Sequence, residues 1–494
     1  MSAEPTREEA HEPGVGGALW IPLAKVWFVL TSFVVHFGLP NLLDSDDVGD
    51  YGVVNRAVSL VNMVMTTGAV QSVARFVAAD PSRTAAVRRT ALRFTGALGL
   101  VVAVVWALAA PLLAGWLRDS SLAPLFRITA PIPLAYGLYA VFVGVLNGRR
   151  RFRAQGLLDM TYATLRSGGI VGAAALGFHA IGSLTAFTIA ALTIAVLAGL
   201  HGWRTTPQGP GHFPTRELLG FAAPVVAFVL VSNLALSADL FWVKRMAPEA
   251  DAKLWTGAYF AILNLGLVPY MLVVSINFIV FPLISRATFS GDAEAAARYV
   301  RNSLRLGLLL ALSVEVAFAA SPEGVLSFVY KSKPEWLPLA GVMTPLAAGY
   351  VALTLFHIST AMLNAAGRPR VSLLLAVVLV GLQSAGVWAL LPRYGLMGAA
   401  IGTTVAFLLG TGLTAALTQR ALGAWLPVSS LMRALLAAAA AFALGHILEL
   451  RGLLFVVEAA ACFFAFWIAL LLTGEVSATD REALLGLVRR RRVG

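Results

Sequence analysis

Val141–Ala154 reads VFVGVLNGRRRFRA, and Ile358–Val371 reads ISTAMLNAAGRPRV. Each is an apolar run that closes on a Leu-Asn pair and then a basic turn. The first run leads back to Pro124 and the second to Pro338 without a long polar break. Both are therefore the ends of helices long enough to cross a hydrocarbon core, which takes about 20 residues. Asn147 and Asn364 lie 217 residues apart, and a second matched pair lies beside them. HAIGSLTAF (His179–Phe187) is echoed by YGLMGAAIG (Tyr394–Gly402), with Gly182 and Gly398 offset by 216. A third echo sets DYGVVNRAVSLVN from Asp50 against TGAYFAILNLG from Thr256. Offsets that hold over this length predict a duplication of a six-helix lobe.

Extending the pattern outward fills the chain. Apolar spans are expected over 20–43, 52–79, 91–114, 124–147, 157–178, 180–202, 216–242, 254–285, 300–321, 338–365, 371–391, 396–419, 428–448 and 452–474. The fold class is thus an all-α polytopic membrane protein of about 14 transmembrane helices, in two pseudo-symmetric six-helix lobes plus two C-terminal helices. The domains read as a tail at 1–19, an N-lobe at 20–202, a linker at 203–215, a C-lobe at 216–425, two further helices at 426–474 and a basic tail at 475–494. Because each lobe has an even number of helices, the copies share one orientation, the arrangement that puts a substrate path between lobes.

Composition agrees: 59% of residues are hydrophobic and 13% charged, against roughly 25% charged in soluble domains. The net charge of +12 is set out by loop. Arg83, Arg88, Arg89 and Arg93 share one connection, Arg149, Arg150, Arg151 and Arg153 another, then Arg286, Arg298 and Arg301, Arg368 and Arg370, Arg420, and Arg489–Arg492 in the tail. The alternate connections are poor in Lys and Arg, and the first holds Asp44, Asp46, Asp47 and Asp50. By the positive-inside rule both termini are expected in the cytoplasm. Tail arginines facing anionic lipid account for the charge, so no nucleic-acid partner is expected. An acidic N-terminus (Glu4, Glu8, Glu9, Glu12) argues against a cleaved signal peptide. A single cysteine, Cys462, excludes an intramolecular disulfide. No Walker loop, HExxH or Gly-x-Ser-x-Gly stands in the sequence, and no metal centre or cofactor is expected.

Polar residues inside spans carry the functional reading, since burying a charge at membrane depth costs about 2.5–3.5 kcal/mol on insertion scales. Lys25, Ser32 and His36 share a face of the first span; Asn55, Ser59, Asn62 and Thr66 form a stripe on the second, with Arg56 at its edge. Asp159, Tyr162 and Arg166 share a face of the fifth, where Arg166 stands near the midplane. It is either a cation awaiting an anionic head or a packing residue in a salt bridge to Asp159 or to another helix. Asp239 in the seventh span is a candidate site for a coupling Na+ or H+, or an ion-pair partner of Lys244 or Arg245. Glu315, His357, His446, Glu449 and Glu458 read as solvated or packing groups. Arg298, Arg301 and Arg305 recur at helical spacing where they could meet a phosphate or anionic lipid.

Four segments resemble the polysaccharide transporter branch of the multidrug/oligosaccharidyl-lipid/polysaccharide (MOP) exporter superfamily. They are GDYGVVNRAVSLVNMVMTTGAVQSVARFVAA (Gly49–Ala79), VLNGRRRF (Val145–Phe152), ADLFWVKRMAPEADAKLWTGAY (Ala238–Tyr259) and GLMGAAIGTTVA (Gly395–Ala406). The resemblance implies a V-shaped, MATE-like pair of lobes that flips an undecaprenyl-diphosphate-linked oligosaccharide in the bacterial inner membrane, for O-antigen or exopolysaccharide synthesis. It implies a cationic central cavity with Lys25 and Arg56 in the N-lobe, membrane lipids as surroundings, and a polysaccharide polymerase and chain-length machinery as partners. Two rivals stand beside this reading: a cation or drug antiporter of the same superfamily, which needs acids in the N-lobe interior, and a membrane polymerase or glycosyltransferase, which needs a large catalytic loop.

Overall fold

The computed structural model describes residues 19–206 and 213–476. The expected tail at 1–19, the linker at 203–215 and the basic tail at 475–494 lie wholly or partly outside them. Among the described residues every regular element is helical, as hydrocarbon demands of a backbone that must satisfy its own N–H and C=O groups. The order is α1 (Trp20–Leu42), α2 (Ser45–Ala79), α3 (Thr84–Trp116), α4 (Leu122–Gly148), α5 (Phe152–Ala175), α6 (His179–Thr205), α7 (Thr215–Leu234), α8 (Ala238–Met246), α9 (Ala252–Phe289), α10 (Ala293–Ala320), α11 (Pro322–Val329), α12 (Pro334–Ala365), α13 (Pro369–Leu422), α14 (Val428–Leu448) and α15 (Phe455–Leu472).

Among the described residues eleven helices are long and apolar enough to span, twelve with the bent pair of α7 and α8. The expected single span at 216–242 is broken at residues 235–237 and bent by 45°. The expected eleventh and twelfth spans run together in the 54-residue α13, interrupted at Gly395, whose φ of 60° is left-handed. α5 is long enough to cross, but even its most apolar stretch is more polar than those of the other long helices, because it carries Asp159, Arg166 and several hydroxyls. Fourteen therefore remains the sequence expectation.

The repeat is visible in local geometry. α4 ends with Arg150 at φ 58° and α12 with Gly367 at φ 77°, the same offset of 217 seen in the sequence. Arg149, Arg150 and Arg151 donate their backbone N–H groups to Val145, Asn147 and Leu146; Ala366, Gly367 and Arg368 donate to Met362, Asn364 and Leu363. Both are helix ends closed by a left-handed residue. At the second offset, His179 (φ 55°) matches Gly395. Beyond those turns Thr188 Oγ1 donates to the Ile128 carbonyl at 3.0 Å and Thr404 Oγ1 to the Pro345 carbonyl at 2.7 Å.

Packing divides the chain into two compact units, Met1–Ala261 and Ile262–Gly494, and α9 passes through the border. In the first, α2 packs on α4 and α7, α5 on α1 and α6. In the second, α12 packs on α10 and on α13, and α14 and α15 close over α10. The Gly395 turn folds α13 back so tightly that a Cβ on Gly402 would sit 2.5 Å from the Gly386 backbone. Gly402→Leu should open this hairpin. We expect a loss on the order of 1–3 kcal/mol, read as a lower unfolding temperature of the detergent-purified protein; an unchanged value would refute the close crossing.

Candidate functional site

The polar stripes of α2 and α5 lie inside the first unit. On α2, Asn55 is 6% and Asn62 7% exposed, while Arg56, Ser59 and Thr66 are half-buried. Thr66 Oγ1 returns to the Asn62 carbonyl at 2.9 Å. On α5, Tyr162 is 4% and Arg166 9% exposed. The guanidinium of Arg166 stands over the Phe187 ring at 4.9 Å, a cation–π contact. Tyr136 stacks edge-on against both Tyr162 and Phe187. The field of Arg166 reaches His36, Tyr51 and Tyr136, and that of Arg56 reaches His36 too. Arg56 lies 5.7 Å from the Phe260 ring.

This cluster is short of partners. Among the described residues Tyr51 Oη, Asn55 Oδ1, Asn62 Oδ1, Tyr162 Oη, Arg166 Nε and Ser167 Oγ are buried and make no hydrogen bond. Buried polar atoms of native interiors are mostly bonded, so a ligand or water entering between these residues would meet open donors and acceptors. Local structure points the same way: α1 widens to a π-turn at Val34–Gly38, with His36 at its centre, and such turns recur at functional sites.

Of the sequence candidates, Arg56 and Arg166 both come close enough to His36 for their fields to reach it, while Asn55, Ser59 and Asn62 keep to their own stripe on α2. Arg166 is not paired with Asp159. That carboxylate accepts from the Tyr139 hydroxyl and feels Lys25. Lys25 itself is exposed on α1. The aromatic wall of Tyr136 and Phe187 was not read from the sequence. The signal was present: Phe187 and Arg166 stand at similar distances on either side of the α5–α6 turn, so the hairpin returns one beside the other.

Asp239 is 1% exposed in the first turn of α8, where its oxygens accept from Tyr259 Oη at 3.1 Å and from the Leu240 N–H at 2.9 Å. The expected partner Lys244 goes elsewhere, bridging Asp50 at 3.1 Å and Asp119 at 2.7 Å with its side chain 1% exposed. Lys253 adds a longer contact to Asp50 at 3.7 Å. Two of the three arginines singled out on α10 are engaged: Arg298 pairs with Glu294 at 3.3 Å and Arg305 with Glu475 at 2.7 Å. Among the described residues, the one cluster with metal-like spacing is Asp44, Asp47 and His179. Its His179 and Asp47 already meet at 2.7 Å on the surface.

Asp119 lies in the α3–α4 connection. Burial pushes its carboxyl up, but hydrogen bonds from Lys244 and Ser121 outweigh this and hold it below the ordinary aspartate value. A depressed carboxyl contributes stability above its unfolded pKa of about 3.9 and loses it as pH falls through the folded value. Lys244→Met leaves two poorly solvated acids, a change that costs about 3–5 kcal/mol when a buried pair is broken. Burial shifts Asp50 in the same cluster the opposite way, so the acid-side loss belongs to Asp119; we therefore expect Lys244→Met to lower the unfolding temperature at pH 7 and to reduce the loss of stability below about pH 4. Equal acid profiles would show that the pair contributes nothing.

Residues 15–288 match the family model described as polysaccharide biosynthesis protein. The structure is similar to the lipid II flippase MurJ in an inward closed conformation, with a TM-score of 0.75, 13% identity and coverage of 94% of this chain and 99% of that one. It is also similar to an inward-facing multidrug resistance MATE family transporter of the MOP superfamily, with a TM-score of 0.66, 15% identity and coverage of 81% and 98%. A curated relative named probable multidrug resistance protein NorM, from Bradyrhizobium diazoefficiens, is 30% identical over 201 residues, which are 38% of this chain and 41% of that protein. The chain thus matches well under half of that relative's length.

Proposed function

We propose that this chain, which belongs to the polysaccharide biosynthesis protein family within the MOP exporter superfamily, flips an undecaprenyl-diphosphate-linked oligosaccharide across the bacterial cytoplasmic membrane, from the inner to the outer leaflet. The observation that carries the reading is Arg166, a guanidinium 9% exposed, backed by aromatic rings, with its Nε unbonded among the described residues. A fixed cation with spare donors suits a diphosphate, whose oxygens accept charge-assisted hydrogen bonds. In this reading Arg166 and Arg56 hold the diphosphate, and Lys25 meets it first at the exposed end of α1. Asn55, Ser59 and Asn62 offer donors and acceptors to sugar hydroxyls, and Tyr136 and Tyr162 offer faces to sugar rings. The work is movement rather than bond making, so the chain is a transporter and not an enzyme. Its partners are the lipid-linked glycan, membrane lipids, and the polymerase and chain-length machinery that receive the product.

The MATE and NorM likenesses favour the rival reading, a small-molecule cation antiporter. That reading needs an acid open to the N-terminal interior. Asp159 is the acid nearest this cluster on α5, and Tyr139 and the field of Lys25 already occupy it.

Arg166→Gln and Arg56→Gln should each weaken binding of undecaprenyl diphosphate about 10- to 100-fold, the equivalent of a charged hydrogen bond of about 1.5–3 kcal/mol. Surface polysaccharide should disappear in cells that keep normal protein levels. Full export by both variants would remove the two arginines from the path.

A further inference from the structure

Past its first turn, α10 carries a single acidic residue, Glu315. Steps of three and four place it on the stripe of Leu304, Leu308 and Ala311, and it is 2% exposed. Neither carboxylate oxygen has a hydrogen-bond partner among the described residues. Asp239, by contrast, accepts from a tyrosine and a backbone amide. The apolar core around α10 includes Ala437, Ala441, Cys462 and Phe466.

The titratable and charged groups on the elements packed against α10 are few on this half of the helix. They are Tyr270 on α9, Glu335, Tyr350 and His357 on α12, Arg393 and Tyr394 on α13, His446 on α14, Glu458 and Cys462 on α15, and Glu323 on α11, with Glu449 and Arg451 beside the helix end. None of them exerts a resolved charge on Glu315; burial alone acts there. Several are committed elsewhere, wholly or in part. His357 Nδ1 lies 3.0 Å from the Leu353 carbonyl, Glu458 accepts from the Leu450 N–H at 2.6 Å through Oε2 and leaves Oε1 unbonded among the described residues, and Glu323 pairs with Arg451. A carboxylate in such a setting must be neutralised or accompanied by a cation. A metal ion would need several oxygen donors around it, whereas a proton needs one lone pair.

A route exists. A cavity of about 250 Å³ at the C-terminal end of α10 is lined by Ala319, Ala320, Ser321, Thr344 and His446. Ala319 stands one turn beyond Glu315 on the same face.

We propose that Glu315 is a proton-binding site of the Ile262–Gly494 unit, loaded through this cavity, and that its proton is the ion coupled to transport. The site stands apart from the flippase reading; the coupling role rests on it. Protonation removes the charge that the apolar core rejects, and deprotonation restores it. The protein conformation that buries Glu315 is therefore the proton-loaded one.

The test uses the full chain in lipid vesicles and dicyclohexylcarbodiimide, which forms adducts with protonated carboxyls in apolar surroundings. Mass spectrometry across a pH series should find the adduct on Glu315, falling about tenfold per pH unit once the group ionises. It should be absent in Glu315→Gln and kept in Glu458→Gln. Labelling that ignores pH, or that marks Glu458 in place of Glu315, overturns the site. In the same vesicles, an imposed pH gradient should speed translocation of undecaprenyl diphosphate bearing one sugar, and Glu315→Gln should abolish that acceleration. Acceleration that survives in the variant, or that follows a sodium gradient instead, overturns the coupling. Failure of Arg166→Gln to slow translocation would strike the flippase reading and leave the adduct result intact.

Discussion

Hydrocarbon offers no hydrogen bonds to a peptide group, and that refusal governs most of what this chain does. It forces the backbone into helices that satisfy themselves. It also makes each buried polar side chain costly, so the exceptions carry information. The unbonded buried atoms on α2 and α5 and the two bare oxygens of Glu315 are such exceptions. One constraint thus produces both the regularity of the fold and the contrast by which its working parts are found.

Much of this was legible in the sequence, for physical reasons. Span-length apolar runs have no other stable use, and a left-handed helix end leaves a composition trace. The Leu-Asn pairs at 146–147 and 363–364 announced two turns that share their hydrogen bonds and their left-handed residue. Side-chain facing along one helix also follows from spacing, which is why Asn55, Asn62 and Arg166 could be picked out. What spacing cannot give is the partner across a gap. Lys244 sits five residues from Asp239 and binds Asp50 and Asp119 instead. The break at residues 235–237 starts a new helix, and Asp239 there accepts from the Tyr259 hydroxyl. Arg305 likewise turned from an imagined phosphate to Glu475, which lies 170 residues away.

The Lys244 cluster joins elements far apart in the chain. Asp50 opens α2, Asp119 lies between α3 and α4, Lys244 closes α8 and Lys253 opens α9. Close by, Gly49 and Gly257 let the first turns of α2 and α9 nearly touch, since a Cβ on Gly49 would meet the Gly257 amide at 3.1 Å. A buried ion cluster adds little net stability over apolar packing. Its worth lies in geometry, because opposite charges accept one register where methyl groups accept several.

The wide turn at Val34–Gly38 has an effect on phase. A π-turn holds one residue more than an α-turn, and each helical residue advances the face by about 100°. The lower and upper parts of α1 therefore point their side chains in rotated directions, and the angle Lys25 occupies is handed on to different neighbours beyond Gly38. Were the bulge to migrate along the helix by one turn, that segment would twist like a key without any hydrogen bond being lost for good.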